Sequence, residues 1–168
     1  MSRAGFATDR ITVLPQGIMM QKFSLAQHEE RKRLRTQWNI SENAPVLLFL
    51  ARVVLNKGID TLQDIWRIVF ARCPHARMLV VGGGVEVLLD QLRQLSTEMG
   101  DSVIVTGEQK HPHDFYRMAD VYILPSRHEG LPTSVIEALS SGLPAVVSDI
   151  GGCDDLVENG FNGYRVPV

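Results

Sequence analysis

The sequence predicts a doubly wound α/β fold: a mostly parallel, Rossmann-like sheet of about six strands with helices on both faces. Two observations carry that prediction. Short Val/Ile/Leu-rich runs alternate with helical patterns along the whole chain. Several of the runs are unbroken apolar stretches, as expected for parallel strands buried on both faces. In order, the candidate strands are residues 11–14, 46–51, 78–81, 103–106, 121–124 and 145–148. A polar helix over residues 24–38 links the first strand to the second. Residues 59–72 place Ile59, Leu62, Ile65, Trp66 and Val69 on one helical face, and residues 85–98 do the same with Val85, Leu88, Leu89, Leu92 and Leu95. Shorter helices fit at 112–118, 133–141 and 153–158. Trp38 and Trp66 fall within apolar faces, which makes them core residues. Tyr164 to Val168 reads as one more strand.

The 168 residues make one domain or slightly more. We expect a tail over residues 1–10, a single nucleotide-binding unit over 11–168, and truncation at the C-terminus. A chain of this size buries roughly two thirds of its unfolded surface. At a net charge of −2 it has no basic footprint for nucleic acid. The run Arg31-Lys32-Arg33-Leu34-Arg35 follows Glu29-Glu30 and reads as a solvated helix face. Cys73 and Cys153 lack metal or redox spacing and fit a reducing compartment. No apolar run approaches the ~18 residues of a membrane span, and Met1-Ser2-Arg3 opens no signal peptide. The expected location is the cytoplasm, with room for a peripheral membrane contact through another part of the protein.

Ligands of doubly wound sheets bind at the carboxyl ends of the strands. The most informative stretch, Pro125 to Pro144, sits at such an end. It sets Glu129 and Glu137 eight positions apart, one in the loop after a strand and one a turn into the next helix. Between them lies a helix N-terminus, with free N–H groups and a partial positive charge. A phosphate held there would lie between two hydroxyl-accepting carboxylates, and a sugar nucleotide has that layout of sugar, diphosphate and ribose. Gly130 permits close backbone approach and Pro132 presets the first helical turn. Ser134-x-x-Glu137 also fits a capping box, which would make Glu137 structural.

A second motif, Ala51 to Gly58, follows another buried strand. Its two cations, Arg52 and Lys57, are suited to clamp a diphosphate. A cation next to a helix start opposes the helix dipole, and such local conflicts mark functional positions. The third motif, Val81-Gly82-Gly83-Gly84, resembles a dinucleotide fingerprint, but Val87 stands where its third glycine belongs. Glu108 lies at about the distance of a ribose-binding acid, and turn glycines alone also account for the pattern. His111 and His113 have metal-like spacing without a third ligand nearby, so they read as loop residues flanking a helix start. His128 adjoins Glu129.

Taken together, LFLARVVLNKGID, MLVVGGG, ADVYILPSRHEGLPTSVIEALSSGLPAVVSDIGG and ENGFNGYRV resemble the C-terminal, donor-binding domain of a GT-B glycosyltransferase of family 4, often called group 1. The resemblance runs from about Ile11 to Val168 and is densest over Asp120–Gly163. At VLPQGI, Gln16 and Met19 replace the family's usual Asn and Asp, so only Gly17 carries over. The resemblance implies that Arg52 and Lys57 bind the donor diphosphate and that Glu137 binds the ribose. Glu129, which would contact the donor sugar hydroxyls, is the candidate catalytic residue. Backbone amides around Gly130, Leu131 and Thr133 would face the phosphates, and the loop after Gly107 would lie near the base. The activity implied is that of a retaining hexosyltransferase. It would use a nucleoside diphosphate sugar, with no cofactor and no metal, to glycosylate a glycan or lipid-linked acceptor in polysaccharide biosynthesis. The acceptor-binding N-terminal domain would be missing, and the fragment alone inactive.

Two other classes stay open on sequence. One is a NAD-type oxidoreductase domain using the Gly82 loop, whose binding would depend on Glu108 and not on Lys57. The other is an interaction domain that keeps the fold without donor binding.

Overall fold

The computed structural model describes Thr12, Leu14 and residues 16–168. The tail over 1–10 and, at Ile11 and Val13, the candidate strand over 11–14 lie outside the described residues. The sheet has six strands, all parallel: β1 Val46–Leu50, β2 Arg77–Val81, β3 Val103–Gly107, β4 Val121–Leu124, β5 Ala145–Ser148 and β6 Gly163–Val166. Their order is β3-β2-β1-β4-β5-β6. The chain thus builds outward from β1 to β3, returns, and builds outward on the other side from β4. That reversal leaves a crevice between the carboxyl ends of β1 and β4, where the loops lead away in opposite directions.

Among the described residues, five α-helices cover the sheet: α1 His28–Gln37, α2 Ile59–Arg72, α3 Glu86–Glu98, α4 His113–Met118 and α5 Thr133–Ser140. α2 packs beside α3, while α4 packs beside α1 and α5, as two helical layers on opposite faces require. α2 buries Ile59, Leu62 and Trp66, and α3 buries Leu88, Leu89, Leu92 and Leu95. The central strands are the most apolar. Leu48, Phe49, Met78, Leu79, Tyr122 and Leu124 are all fully buried. Trp66 is also fully buried, its indole Nε1 donating to Ser102 Oγ at 3.0 Å. Trp38 is half-buried against Phe115.

Three local expectations are corrected. Residues 153–158 are not a helix; residues 151–156 form consecutive turns. Asp154 Oδ1 accepts from the N–H groups of Gly152 and Asp155, offering the backbone an alternative to helical bonds. The linking helix begins only at His28, because Gln27 is extended. The basic run on it is not wholly solvated. Arg35 is 2% exposed, and its guanidinium donates to the carbonyls of Met118, Glu42 and Ala44 and to Asp120. Arg31 also pairs with Asp120. These bonds fasten α1 to the amino end of β4, where Asp120 also accepts from the Val46 N–H of β1. Burial is the leading influence on the Arg35 pKa and lowers it.

Cys73 and Cys153 are free thiols. Among the described residues, no helix is long and apolar enough to cross a membrane, and no cluster of His, Cys, Asp and Glu is placed to hold a metal ion.

Candidate functional site

The crevice between β1 and β4 brings together most of the residues singled out in the sequence. The loop after β1 ends in a 3₁₀ turn, Leu55–Lys57, closed by Gly58 just before α2. The loop after β4 carries Ser126 and Glu129 and leads into α5. Lys57 Nζ reaches across to Glu129 Oε1 at 2.6 Å. Ser126 Oγ donates to the same oxygen at 2.6 Å. The side chains of Lys57 and Glu129 are only 20% and 9% exposed, so the pair is largely withdrawn from water. Both bonds fall on Oε1, leaving Oε2 for another donor. The ammonium carries three protons, so two remain for other acceptors.

Glu137 is arranged in a parallel way. Tyr116, fully buried in α4, donates its hydroxyl to Glu137 Oε2 at 2.8 Å. Oε1 is left for a ligand. Burial pushes the Glu137 carboxyl above its ordinary pKa, and the Tyr116 bond works in the opposite direction. Burial also pushes the Tyr116 phenol well up, so it stays a neutral donor.

The capping-box alternative for Glu137 is overturned. Helix α5 begins at Thr133 with Pro132 as its N-cap, and no side chain caps it. Ser134 is therefore already helical, and its Oγ bonds the Tyr122 hydroxyl at 2.7 Å, which also reaches the Leu50 carbonyl at 3.1 Å. Val135 N–H donates to the Pro132 carbonyl, so without a side-chain cap the Thr133 and Ser134 N–H groups are the ones open to an anion.

Two cavities flank this centre. One, of about 540 Å³, is lined by Glu137, Thr133, Gly17, Lys22, His111 and His113, among others. The other, of about 430 Å³, is an apolar slot between Leu50, Ala51, Val81, Gly82, Gly83 and Pro112. Arg52, Glu108 and Gln109 stand at it. Gly17 thus falls opposite Glu137, and the loop after Gly107 borders the slot. Arg52 is exposed. Leu131 is half-buried. Gly130 is exposed, and an added Cβ there would meet nothing within 4 Å; the close approach runs the other way, from Gly152 to the Gly130 carbonyl. Gly82 and Gly84 are explained by the neighbouring loop. A Cβ on either would lie 2.1 Å from a carbonyl oxygen, of Ala51 or Val53. That crossing, not a dinucleotide fingerprint, requires these glycines.

Sequence reasoning missed four contributors. Tyr116 and Ser126 carry no motif of their own. Lys22 and Lys110 line the larger cavity without any local pattern. His111 and His113 did carry a signal, their spacing, and the structure places both in the lining of this cavity. His128 is exposed and takes part through its carbonyl, which accepts from Asn56 Nδ2.

The fold is a doubly wound α/β unit of the kind that makes up one half of the GT-B glycosyltransferase architecture. Solved structures share it. The Anabaena protein HepE in complex with UDP-glucose superimposes with a TM-score of 0.84 at 24% identity, over 99% of this chain and 46% of that one. Sucrose-phosphate synthase from Thermosynechococcus elongatus gives 0.75 at 28% identity, over 91% of this chain and 38% of that one. Among curated proteins, mannosylfructose-phosphate synthase of Agrobacterium fabrum is 31% identical over 159 residues, 88% of this chain and 34% of that protein. The lipopolysaccharide 1,2-N-acetylglucosaminetransferase of Salmonella typhimurium is 27% identical over 166 residues, 93% of this chain and 43% of that protein. The chain therefore spans less than half the length of these relatives. The family model for glycosyl transferases group 1 matches residues 30–168, and the chain belongs to that family. Membership displaces the oxidoreductase alternative.

Proposed function

We propose that this chain is the nucleotide-sugar-binding unit of a retaining glycosyltransferase that uses a nucleoside diphosphate hexose. The observation that carries this reading is the shared arrangement of the two glutamates. Each is anchored through one carboxylate oxygen and keeps the other for a ligand, and an uncapped helix N-terminus lies between them. In this reading the apolar slot takes the base and Glu137 accepts from the ribose hydroxyls. The α5 N-terminus, Arg52 and Lys57 hold the diphosphate, and Glu129 Oε2 accepts from a sugar hydroxyl. Fixed donors around the diphosphate stabilise the charge that develops on it as the glycosidic bond breaks, with no reorganisation at that moment. Clamping by cations and amides needs no metal.

In this reading the chain supplies one wall of a cleft. Holding donor and acceptor in reactive geometry accounts for as much as ~7–11 kcal/mol of barrier lowering. Accordingly, this chain by itself binds a donor and transfers nothing. The acceptor, a glycan or lipid-linked sugar, is engaged by residues beyond this unit.

Calorimetric titration with UDP, GDP, ADP and their glucose or mannose derivatives, beside NAD, tests the reading. Saturable binding of one nucleoside diphosphate without added metal supports it. Binding of NAD alone, or of none of these, overturns it; the second result would favour an interaction domain.

A further inference from the structure

We propose that Arg127 is a positioning residue: it fastens the turn that carries Lys57 to the loop that carries Glu129, and so fixes the ammonium at the diphosphate end of the crevice. The proposal rests on the donor-binding reading above.

The two loops come from different strands, β1 and β4, and meet where the sheet's order reverses. Arg127 spans the junction with three donors. Nη1 donates to the Leu55 carbonyl at 2.6 Å, Nη2 to Asp60 Oδ2 at 2.5 Å, and the backbone N–H to the Asn56 carbonyl at 2.9 Å. Leu55 and Asn56 immediately precede Lys57, and Asp60 follows it in the first turn of α2. Gly58, on the other side of Lys57, has φ +71°, and a Cβ there would lie 1.9 Å from the Pro125 carbonyl oxygen. The Lys57 turn is thus touched on both sides by residues 125–127. The Lys57 side chain extends across from this turn to Glu129.

A simple stabilising role fits these contacts poorly. The Arg127 and Asp60 side chains are about half exposed, and exposed ion pairs add little to folding stability. A planar guanidinium bridging a carbonyl and a carboxylate instead specifies geometry, which a lysine could not reproduce. Arg127 lines neither cavity beside the crevice, so it acts through Lys57. Its bond to Asp60 is the first cause of a lowered Asp60 pKa, so that carboxylate keeps its charge to a lower pH than an ordinary aspartate.

The test is a double-mutant cycle on the 168-residue chain. Calorimetry uses whichever of UDP, GDP and ADP binds most tightly, with the melting temperature of each variant as a control. Arg127→Ala should weaken that ligand roughly three- to tenfold, part of what one charge-assisted contact contributes. In a Lys57→Ala background the same change should cost nothing further, an outcome a general loss of folding would not give. Asp60→Asn, which leaves the Leu55 contact intact, should show a smaller loss of the same kind. It replaces Arg127→Ala if that variant does not fold. An equal loss in both backgrounds overturns the proposal, because Arg127 would then act independently of Lys57. No loss in either background overturns it too. If the unsubstituted chain binds none of the three nucleotides, the donor-binding reading fails and the latch falls with it. If it binds and Arg127→Ala and Asp60→Asn are silent, only the latch fails.

Discussion

Glu129 and Glu137 stand at opposite ends of the same strand–loop–helix junction and are anchored by different chemistry. Glu129 is held by an ammonium and a serine hydroxyl, Glu137 by a buried phenol. The difference matters because a cation compensates a carboxylate's charge, whereas a neutral phenol only donates one hydrogen bond. Burial pushes the Glu137 pKa up. Glu129 is therefore tied to Lys57, while Glu137 is tied to a neutral phenol and to its own partial burial. One end of the proposed donor site is set by charge, and the other by burial.

The largest effect should come from breaking the charged end. Lys57→Ala should weaken UDP or GDP binding by roughly ten- to a hundredfold, from loss of one charge-assisted contact. It also strands Glu129, whose side chain is 9% exposed, without its cation. The melting temperature should fall, and a second change, Glu129→Gln, should recover part of it by removing the uncompensated charge. Equal affinity in the single variant would remove Lys57 from the site. A double variant no more stable than the single would show that the pair carries little electrostatic weight.

At the buried end, Glu137→Ala should weaken a bare nucleoside diphosphate by about tenfold, because a hydrogen-bonded ribose loses a charged acceptor. The buried Tyr116 hydroxyl also loses its acceptor, so the melting temperature should fall as well, beside the loss of affinity. A drop in stability with unchanged nucleotide affinity would contradict this assignment.

The smallest effect is also the most diagnostic of the contrast. Ribose hydroxyls donate to the ionised carboxylate, so binding should decline as pH falls through the Glu137 pKa, which is raised. The decline should therefore begin at a higher pH than an ordinary glutamate would give. The Tyr116 bond lowers that pKa, so Tyr116→Phe should move the onset higher still while preserving affinity at neutral pH to within a few-fold. For folding, a raised carboxyl pKa contributes stability present at acid pH and lost as pH rises through the folded value. Tyr116→Phe should thus extend that acid-side contribution upward in pH. A pH profile of binding identical in both proteins would rule out the phenol as the partner that tunes Glu137.

Much of this was legible in the sequence, for a physical reason. Unbroken runs such as Val121-Tyr122-Ile123-Leu124 are apolar because both faces of the strand are covered, and five of the strands lie where such runs predicted. The order of strand, loop and helix around the two glutamates is the one their setting in the sequence predicted. The rest depended on contacts that local pattern does not encode. Arg35 sits in a run that looks solvated, yet its guanidinium finds the Met118 carbonyl 83 positions away. Tyr116 and Arg127 look like ordinary helix and loop residues until the sheet order sets them beside Glu137 and the Lys57 turn. Ser134-x-x-Glu137 shows the opposite error. A local rule fitted, but the helix began one residue before Ser134, which made Ser134 a helical residue and not the cap.

The most direct test of two carboxylates serving two ends of one donor is a set of four titrations. Glu129→Ala and Glu137→Ala are each titrated with a bare nucleoside diphosphate and with the corresponding sugar nucleotide. The account predicts that Glu137→Ala weakens both ligands alike. Glu129→Ala should leave the bare diphosphate unchanged or slightly tighter, since Lys57 is released to it, and should weaken only the sugar nucleotide. Parallel losses for both ligands in both variants, or loss of the bare diphosphate in Glu129→Ala alone, would contradict the division between the two ends.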